Sequence, residues 1–308
     1  MERKKYGFTM IELLTVIGII ALLVGLLIPA LNMVNTMAKE AKQKAQITAI
    51  EMALTAFRND YGDYPESSWN IPSVVPGGNG DYCGAQKLAE ALLGWDLMGF
   101  HPKSAWRPDG YDRNTGEWSY DPDKVRGDAT LHERRGPYLE LGSANAYRVG
   151  KNPATGIKDG LYDEPIPLAW NTYVICDAFG VKRITLTLPN GETERFLAGT
   201  PILYYRANTL SKTLDRSLVG TKHLIYDVYD NLPFINTAQF PKLPPLKKGV
   251  LWHKLGVASG TYQNFYEYIA DPKASTPVMP WPYRPDSYIL ISAGADGEYG
   301  TADDITNF

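Results

Sequence analysis

The sequence predicts an α+β chain: one long N-terminal helix, then a small antiparallel β-sheet set among extended ordered loops. Three observations carry this. From Leu13 to Leu31 the chain runs without a charge and is built mostly of Leu, Ile, Val and Ala. From Asn32 to Tyr61 the apolar residues recur at spacings of three and four. Beyond residue 169 the pattern changes to short runs of β-branched and aromatic residues separated by turn signals.

The apolar run comes first. At about 1.5 Å per residue it covers roughly 28 Å, close to the hydrocarbon thickness of a bilayer. Glu12 stands at its head and Arg3, Lys4 and Lys5 precede it. Basic residues stay cytoplasmic, so the C-terminal side is expected outside. No small-residue cleavage site follows the run, and Pro29-Ala30-Leu31-Asn32 lacks the pattern. The conspicuous processing candidate lies before it, at Gly7-Phe8. A plain signal anchor does not explain Glu12, because a lone charge at the edge of a membrane segment costs about 2.5–3.5 kcal/mol unless it finds a partner. A cut after Gly7 would create such a partner, the α-amine of Phe8. Pro29 removes a helix hydrogen bond within the run and invites local unwinding.

The stretch Gly7-Phe8-Thr9-Met10-Ile11-Glu12-Leu13-Leu14, with its basic leader and Pro29, resembles the class III signal of type IV pilins and type II secretion pseudopilins. The resemblance implies a pilin-like fold and a leader, residues 1–7, removed by a prepilin peptidase between Gly7 and Phe8, with methylation of the new amine. Residues 8–31 would form the membrane and filament-core half of the helix, and 32–64 its amphipathic half. Glu12 would pair with the Phe8 amine of a neighbouring subunit, and the segment near Pro29 would melt on assembly. The implied partners are further copies of the chain, the inner-membrane assembly platform and minor pseudopilins. The implied location is the bacterial inner membrane as a single-pass protein, then a periplasmic or extracellular filament.

The amphipathic half carries one apolar stripe, Ile47, Ile50, Leu54, Phe57 and Tyr61, with Ala38, Ala41 and Ala45 as a small-residue face. Gly62 and Pro65 end the helix. The segment Phe57–Pro65 also resembles the helix exit of major pseudopilins.

The head, residues 65–308, is rich in turn signals. Residues 66–160 read as loop apart from a short helix at Ala85–Leu93, and the proline-rich stretch 230–285 as a second loop expansion. Strands are expected at Asn171–Cys176, Lys182–Leu188, Thr193–Leu197, Pro201–Ala207 and Ser287–Ala293. Asp112–Glu117 has a glycine, Gly116, where an EF-hand needs an oxygen side chain, and so reads as a turn.

After the last strand, residues 294–304 place Asp296, Glu298, Asp303 and Asp304 among three glycines. Such a loop offers the carboxylates and carbonyls that a hard cation needs. The order strand, Gly-Ala-Asp-Gly, then Asp-Asp-Ile resembles the calcium loop of major pseudopilins. That resemblance implies calcium, with Asp296, Asp303 and Asp304 as ligands and Glu298 beside them. The tail departs from the family in placing two acids side by side.

Composition excludes other classes. Net charge is −3; without residues 1–7 it is −5, from 28 basic and 33 acidic residues. A mildly acidic head without a long basic run is a poor generic nucleic-acid binder, and no nucleic-acid partner is expected. His101, His132, His223 and His253 fall in no metal or catalytic spacing, and no nucleophile elbow or phosphate loop is present, so the chain does not read as an enzyme. Cys83 and Cys176 have no metal-type spacing and read either as a disulfide in an exported head or as two small buried hydrophobes. The resemblance implies a structural filament subunit, a pseudopilin in type II secretion or, alternatively, a pilin acting in adhesion through its expanded loops.

Overall fold

The computed structural model describes residues 9–69, 82–112, 115–120, 130–150, 160–162, 168–187, 192–214, 223–235, 253–256, 262–276 and 280–308. Helix α1, Met10–Tyr61, is 52 residues long and spans about 78 Å at ordinary helical rise. It starts where the sequence supplies a capping box. The Glu12 amide donates to Thr9 Oγ1 at 3.3 Å, and the Thr9 amide donates to Glu12 Oε2 at 2.9 Å. It ends where only glycine is comfortable: Gly62 adopts φ +83° and its N–H returns to the Arg58 carbonyl at 2.7 Å. Helical backbone runs through position 29 without a break.

The two halves of α1 meet different surroundings. Every described side chain from Met10 to Met37 is exposed, whereas Gln43, Gln46, Ile47, Ile50, Ala53, Leu54 and Phe57 are buried against the head. The predicted stripe is therefore the docking face, with Tyr61 half-buried at its end.

The head begins with α2, Gly84–Leu93, buried along its whole length. A two-stranded hairpin follows, β1 (Tyr111–Asp112) with β2 (Glu117–Trp118), then α3, Leu141–Ala144. The strands β3 (Ala146–Arg148) and β4 (Tyr173–Ile175) pair, as do β5 (Lys182–Thr187) and β6 (Thr193–Ala198). Beyond them β7 (Leu203–Arg206), β8 (Tyr288–Ser292) and β9 (Ile305–Thr306) form a three-stranded sheet in that order. All these pairings are antiparallel. The α+β architecture stands, and among the described residues the strands form four antiparallel groups, of which β3–β4 is joined to the three-stranded sheet by an isolated Cys176–Pro201 bridge and by the Ile202 amide donating to the Ile175 carbonyl at 2.8 Å.

The sheet is buried on both faces. Tyr204, Tyr288 and Leu290 point into a core shared with Ile50, Leu54 and Phe57 of α1 and with Leu88 and Leu92 of α2. The alternate residues Leu203, Tyr205, Ile289 and Ile291 point into a second core. That second core takes Leu232, Phe234, Phe265, Tyr266 and Ile269 from the proline-rich stretch. Reading 230–285 as loop alone is thus corrected: it contains α4, Leu232–Ile235, and α5, Gln263–Tyr268. Likewise 66–160 holds β1, β2, α3 and β3 in addition to α2. Apart from α2, both stretches are short of apolar periodicity because each of these further elements is only two to six residues long, less than the window in which a period can register. Cys83 and Cys176 are free and sit in this second core, packed as buried hydrophobes; burial pushes the Cys83 thiol up to about 12.

Candidate functional site

The site residues expected from the sequence fall in two regions: α1 and the loop after β8.

On α1, Gly7 and Phe8 lie outside the described residues. Glu12 is exposed on the first turn, where its carboxylate accepts the Thr9 amide and hydroxyl. Behind it the described side chains of the apolar run are exposed, and α1 is long and apolar enough to cross a membrane. Ala38, Ala41 and Ala45 are exposed on the next turns and leave room for a close neighbour.

Where α1 reaches the head, polar side chains set its docking. Lys39 Nζ donates to the Phe179 carbonyl at 3.0 Å. Gln43 Oε1 accepts the Ala178 amide at 2.7 Å. Gln46 Nε2 donates to the carbonyls of Ala144 at 3.0 Å and Cys176 at 2.9 Å. Lower down, Glu51 Oε1 accepts from Arg284 Nη1 at 2.6 Å and from Asn307 Nδ2 at 3.2 Å, tying the C-terminal residues to the helix. Sequence reasoning did not single out Gln43 and Gln46. Their signal is positional: they continue the Ile47–Ile50–Leu54 stripe upstream by three and four residues, so a polar pair stands where apolar residues are due.

The loop after β8 turns at Gly294, φ +63°, where a Cβ would stand 2.3 Å from the Asp303 carbonyl oxygen. This close approach folds Asp303 back onto the start of the loop. Its Oδ2 accepts the amides of Ala295 (2.8 Å) and Asp296 (3.0 Å). Asp304 Oδ2 accepts the Gly300 amide at 2.7 Å and the Tyr268 hydroxyl of α5 at 2.8 Å. Asp296 Oδ1 accepts the Glu298 amide at 2.8 Å. His253 Nδ1 accepts the Tyr299 amide at 3.1 Å, and burial holds that imidazole down at about 3, so it stays neutral.

The four predicted acids are thus gathered in one loop, and Thr301 joins three of them. Its hydroxyl donates to Asp303 Oδ1 and lies 3.3 Å from Asp304 Oδ1, 3.4 Å from Asp296 Oδ1 and 3.2 Å from the Glu298 carbonyl. One hydroxyl has one proton, so it satisfies one of these acceptors at a time. Burial pushes Asp304 up to about 6. Burial also raises Asp303, but the Thr301 hydroxyl and the loop amides outweigh it, and the net shift is downward. The donors are of the kind a hard cation takes. As they stand, no three acidic, histidine or cysteine side chains form a metal-holding group among the described residues. Asp112, in the other acidic loop, accepts the Thr115 hydroxyl at 3.0 Å, and the Gly116 amide donates to the Asp112 carbonyl at 2.8 Å, as in a turn.

Against known proteins, residues 3–28 match the prokaryotic N-terminal methylation motif. The chain carries a prepilin-type N-terminus. It is 35% identical over 77 residues to the type II secretion system core protein G of Dickeya chrysanthemi, which covers 24% of this chain and 49% of that protein. It is 38% identical over 74 residues to the core protein G of Escherichia coli (23% and 50%), and 33% over 76 residues to that of Aeromonas hydrophila (24% and 52%). The chain therefore spans about half the length of the curated relatives it matches. No solved structure matches it at a significant level. The prepilin-type helix and an α+β head agree with the pilin-like reading, while most of the head has no counterpart in these matches.

Proposed function

We propose that the chain is a subunit of a helical, type IV pilus-like filament, and specifically a pseudopilin of a type II secretion system that helps drive export of folded proteins. The observation that carries this is the division of α1. A prepilin-type segment keeps its described apolar side chains exposed, while the following half is locked to the head. Such a surface needs a bilayer or other helices, and a filament core supplies the second. The chain waits in the inner membrane with its head outside, loses residues 1–7 to the prepilin peptidase, and enters the filament through the assembly platform. In the filament Glu12 meets the Phe8 amine of its neighbour, which neutralises both charges in an apolar core. No catalytic role is assigned. Mass spectrometry of the protein from producing cells checks the processing: the N-terminus is expected at a methylated Phe8, and any other start overturns the reading.

The C-terminal loop is proposed to bind calcium through Asp296, Asp303, Asp304 and Glu298. Three carboxylates facing one hydroxyl leave acceptor oxygens opposed, and a divalent cation would relieve that opposition. Glu298 would contribute its carbonyl, and Thr301 would turn aside. Thermal melting with calcium and with a chelator is the measurement. Saturating calcium is expected to stabilise the protein by about 3 kcal/mol at a hundredfold excess over Kd, and identical melting curves would remove the metal.

A further inference from the structure

An open cleft of about 1200 Å³ lies where the segment leaving α1 (66–69) meets the loop after β7 (206–213) and residues 223–230. Two aromatic rings line it, Trp69 and Tyr229, with centroids 6.4 Å apart and planes at 74°. Asp230 and Ser67, both buried, line it as well, held to each other by a hydrogen bond. Glu66 is anchored there by an ion pair to the fully buried Lys87. Leu210, 93% exposed, stands over the rim.

We infer that this cleft binds a neutral oligosaccharide, a function separate from filament assembly. A sugar presents apolar C–H faces and a rim of hydroxyls, so it asks for aromatic rings together with fixed hydrogen-bonding groups. The cleft supplies both: two rings at an angle, and oriented carboxylate and amide groups from Asp227, Asp230 and Asn208. The volume exceeds the ~300–1,000 Å³ common for small-molecule pockets, which suits several linked sugar units rather than one. Other ligand classes fit less well. Glu66 is already paired with Lys87 and Arg206 with Asp63, which sets Asp227 and Asp230 against Lys212 in the described lining, so there is no cluster of cations to draw a polyanion. An added peptide strand needs open backbone groups, yet here the amides of Ala207, Asn208 and Ile225 already donate to Ser287, Ile225 and Thr213 carbonyls. A hydrocarbon chain would desolvate the carboxylates without pairing them.

Calorimetric titration of the full chain in a polyoxyethylene detergent, free of sugar headgroups, tests this. The probes are cellotetraose, maltotetraose, xylotetraose and chitotetraose, with tetragalacturonate as the acidic comparator. At least one neutral tetramer is expected to bind saturably with Kd below about 1 mM, and Trp69→Ala to weaken it at least about tenfold. Trp69→Phe and Tyr229→Phe, which keep a ring, are expected to retain most of the affinity. If Trp69→Ala does not fold, Asp227→Asn and Trp69→Phe carry the comparison: the first is expected to lose affinity and the second to keep it. No saturable heat with any neutral tetramer overturns the inference. So do equal binding by the variants that should weaken it and preference for tetragalacturonate.

Discussion

The two halves of α1 are one continuous helix with opposite economies of contact. From Met10 to Met37 the side chains are mostly apolar and every described one is exposed; from Gln43 to Phe57 the apolar stripe is buried. Hydrophobicity is higher in the exposed half, so burial here is decided by what the helix face is matched to and not by how apolar it is. The second half has a complement in α2, β7 and β8, and polar partners placed to receive Gln43 and Gln46. The first half has no complement among the described residues, which is the condition for having one in another chain.

The largest effect expected from separating these halves is on assembly. Glu12→Gln keeps the capping-box acceptor, since Gln serves at that helix position as Glu does, but removes the charge. Filament yield in a reconstituted or plasmid-borne system is expected to fall to background, with the melting temperature of the head unchanged. Normal filaments from Glu12→Gln would show that the acid serves only as a cap. Next, truncation should separate the halves by stability. Leu54→Ala, at a side chain 0% exposed, is expected to cost about 2–5 kcal/mol. Leu23→Ala, at one 59% exposed, should stay within about 0.5 kcal/mol. Urea unfolding followed by tryptophan fluorescence reads the head alone, because every tryptophan lies beyond residue 68. Equal costs would mean that the halves are not energetically distinct.

A smaller effect concerns α2, against which the docked half packs. Burial raises the carboxyl of Glu90 from 4.5 to about 7, with Ser104 and Tyr82 hydroxyls hydrogen-bonded to it. The folded protein keeps this proton where the unfolded chain releases it. The stability it contributes is therefore full below about pH 4.5 and is lost as pH rises through about 7. Glu90→Gln is expected to flatten that decline by an amount on the order of 3 kcal/mol at most, seen as a smaller difference between denaturation midpoints at pH 5 and pH 8. Parallel pH profiles for the two proteins would locate the titration elsewhere; Asp230 and Asp177, both raised to about 7 by burial, are the next groups to substitute.

Much of this architecture was legible because its signals are local. The stop at Gly62, the helix at α2 and the five strand runs each depend on residues within a few positions of one another. The stripe Ile47–Phe57 named its own buried face. What remained hidden depends on distance in sequence. Nothing local says that β7 pairs β8 across more than eighty residues. Nor does it say that Phe265 and Ile269 will cover the outer face of the sheet. The acids of the C-terminal loop could be picked out, whereas Tyr268, which holds Asp304, comes from an element too short to be seen. Thr301 was visible in the sequence but unremarkable until the fold placed its hydroxyl among three carboxylates.

The contacts of Lys39, Gln43 and Gln46 bear on torsion. An apolar stripe alone would let a helix roll a little in its groove, because oily surfaces tolerate small slips. Amide and ammonium groups that reach particular carbonyls do not: a one-residue error turns the helix by about 100° and leaves buried polar groups of the head unpaired. The helix is therefore keyed into the head like a shaft into a gear. Any rotation of the docked half arrives at the outer surface of the head as the same rotation, so the bearing of its clefts and loops is set by the angle of that half of α1.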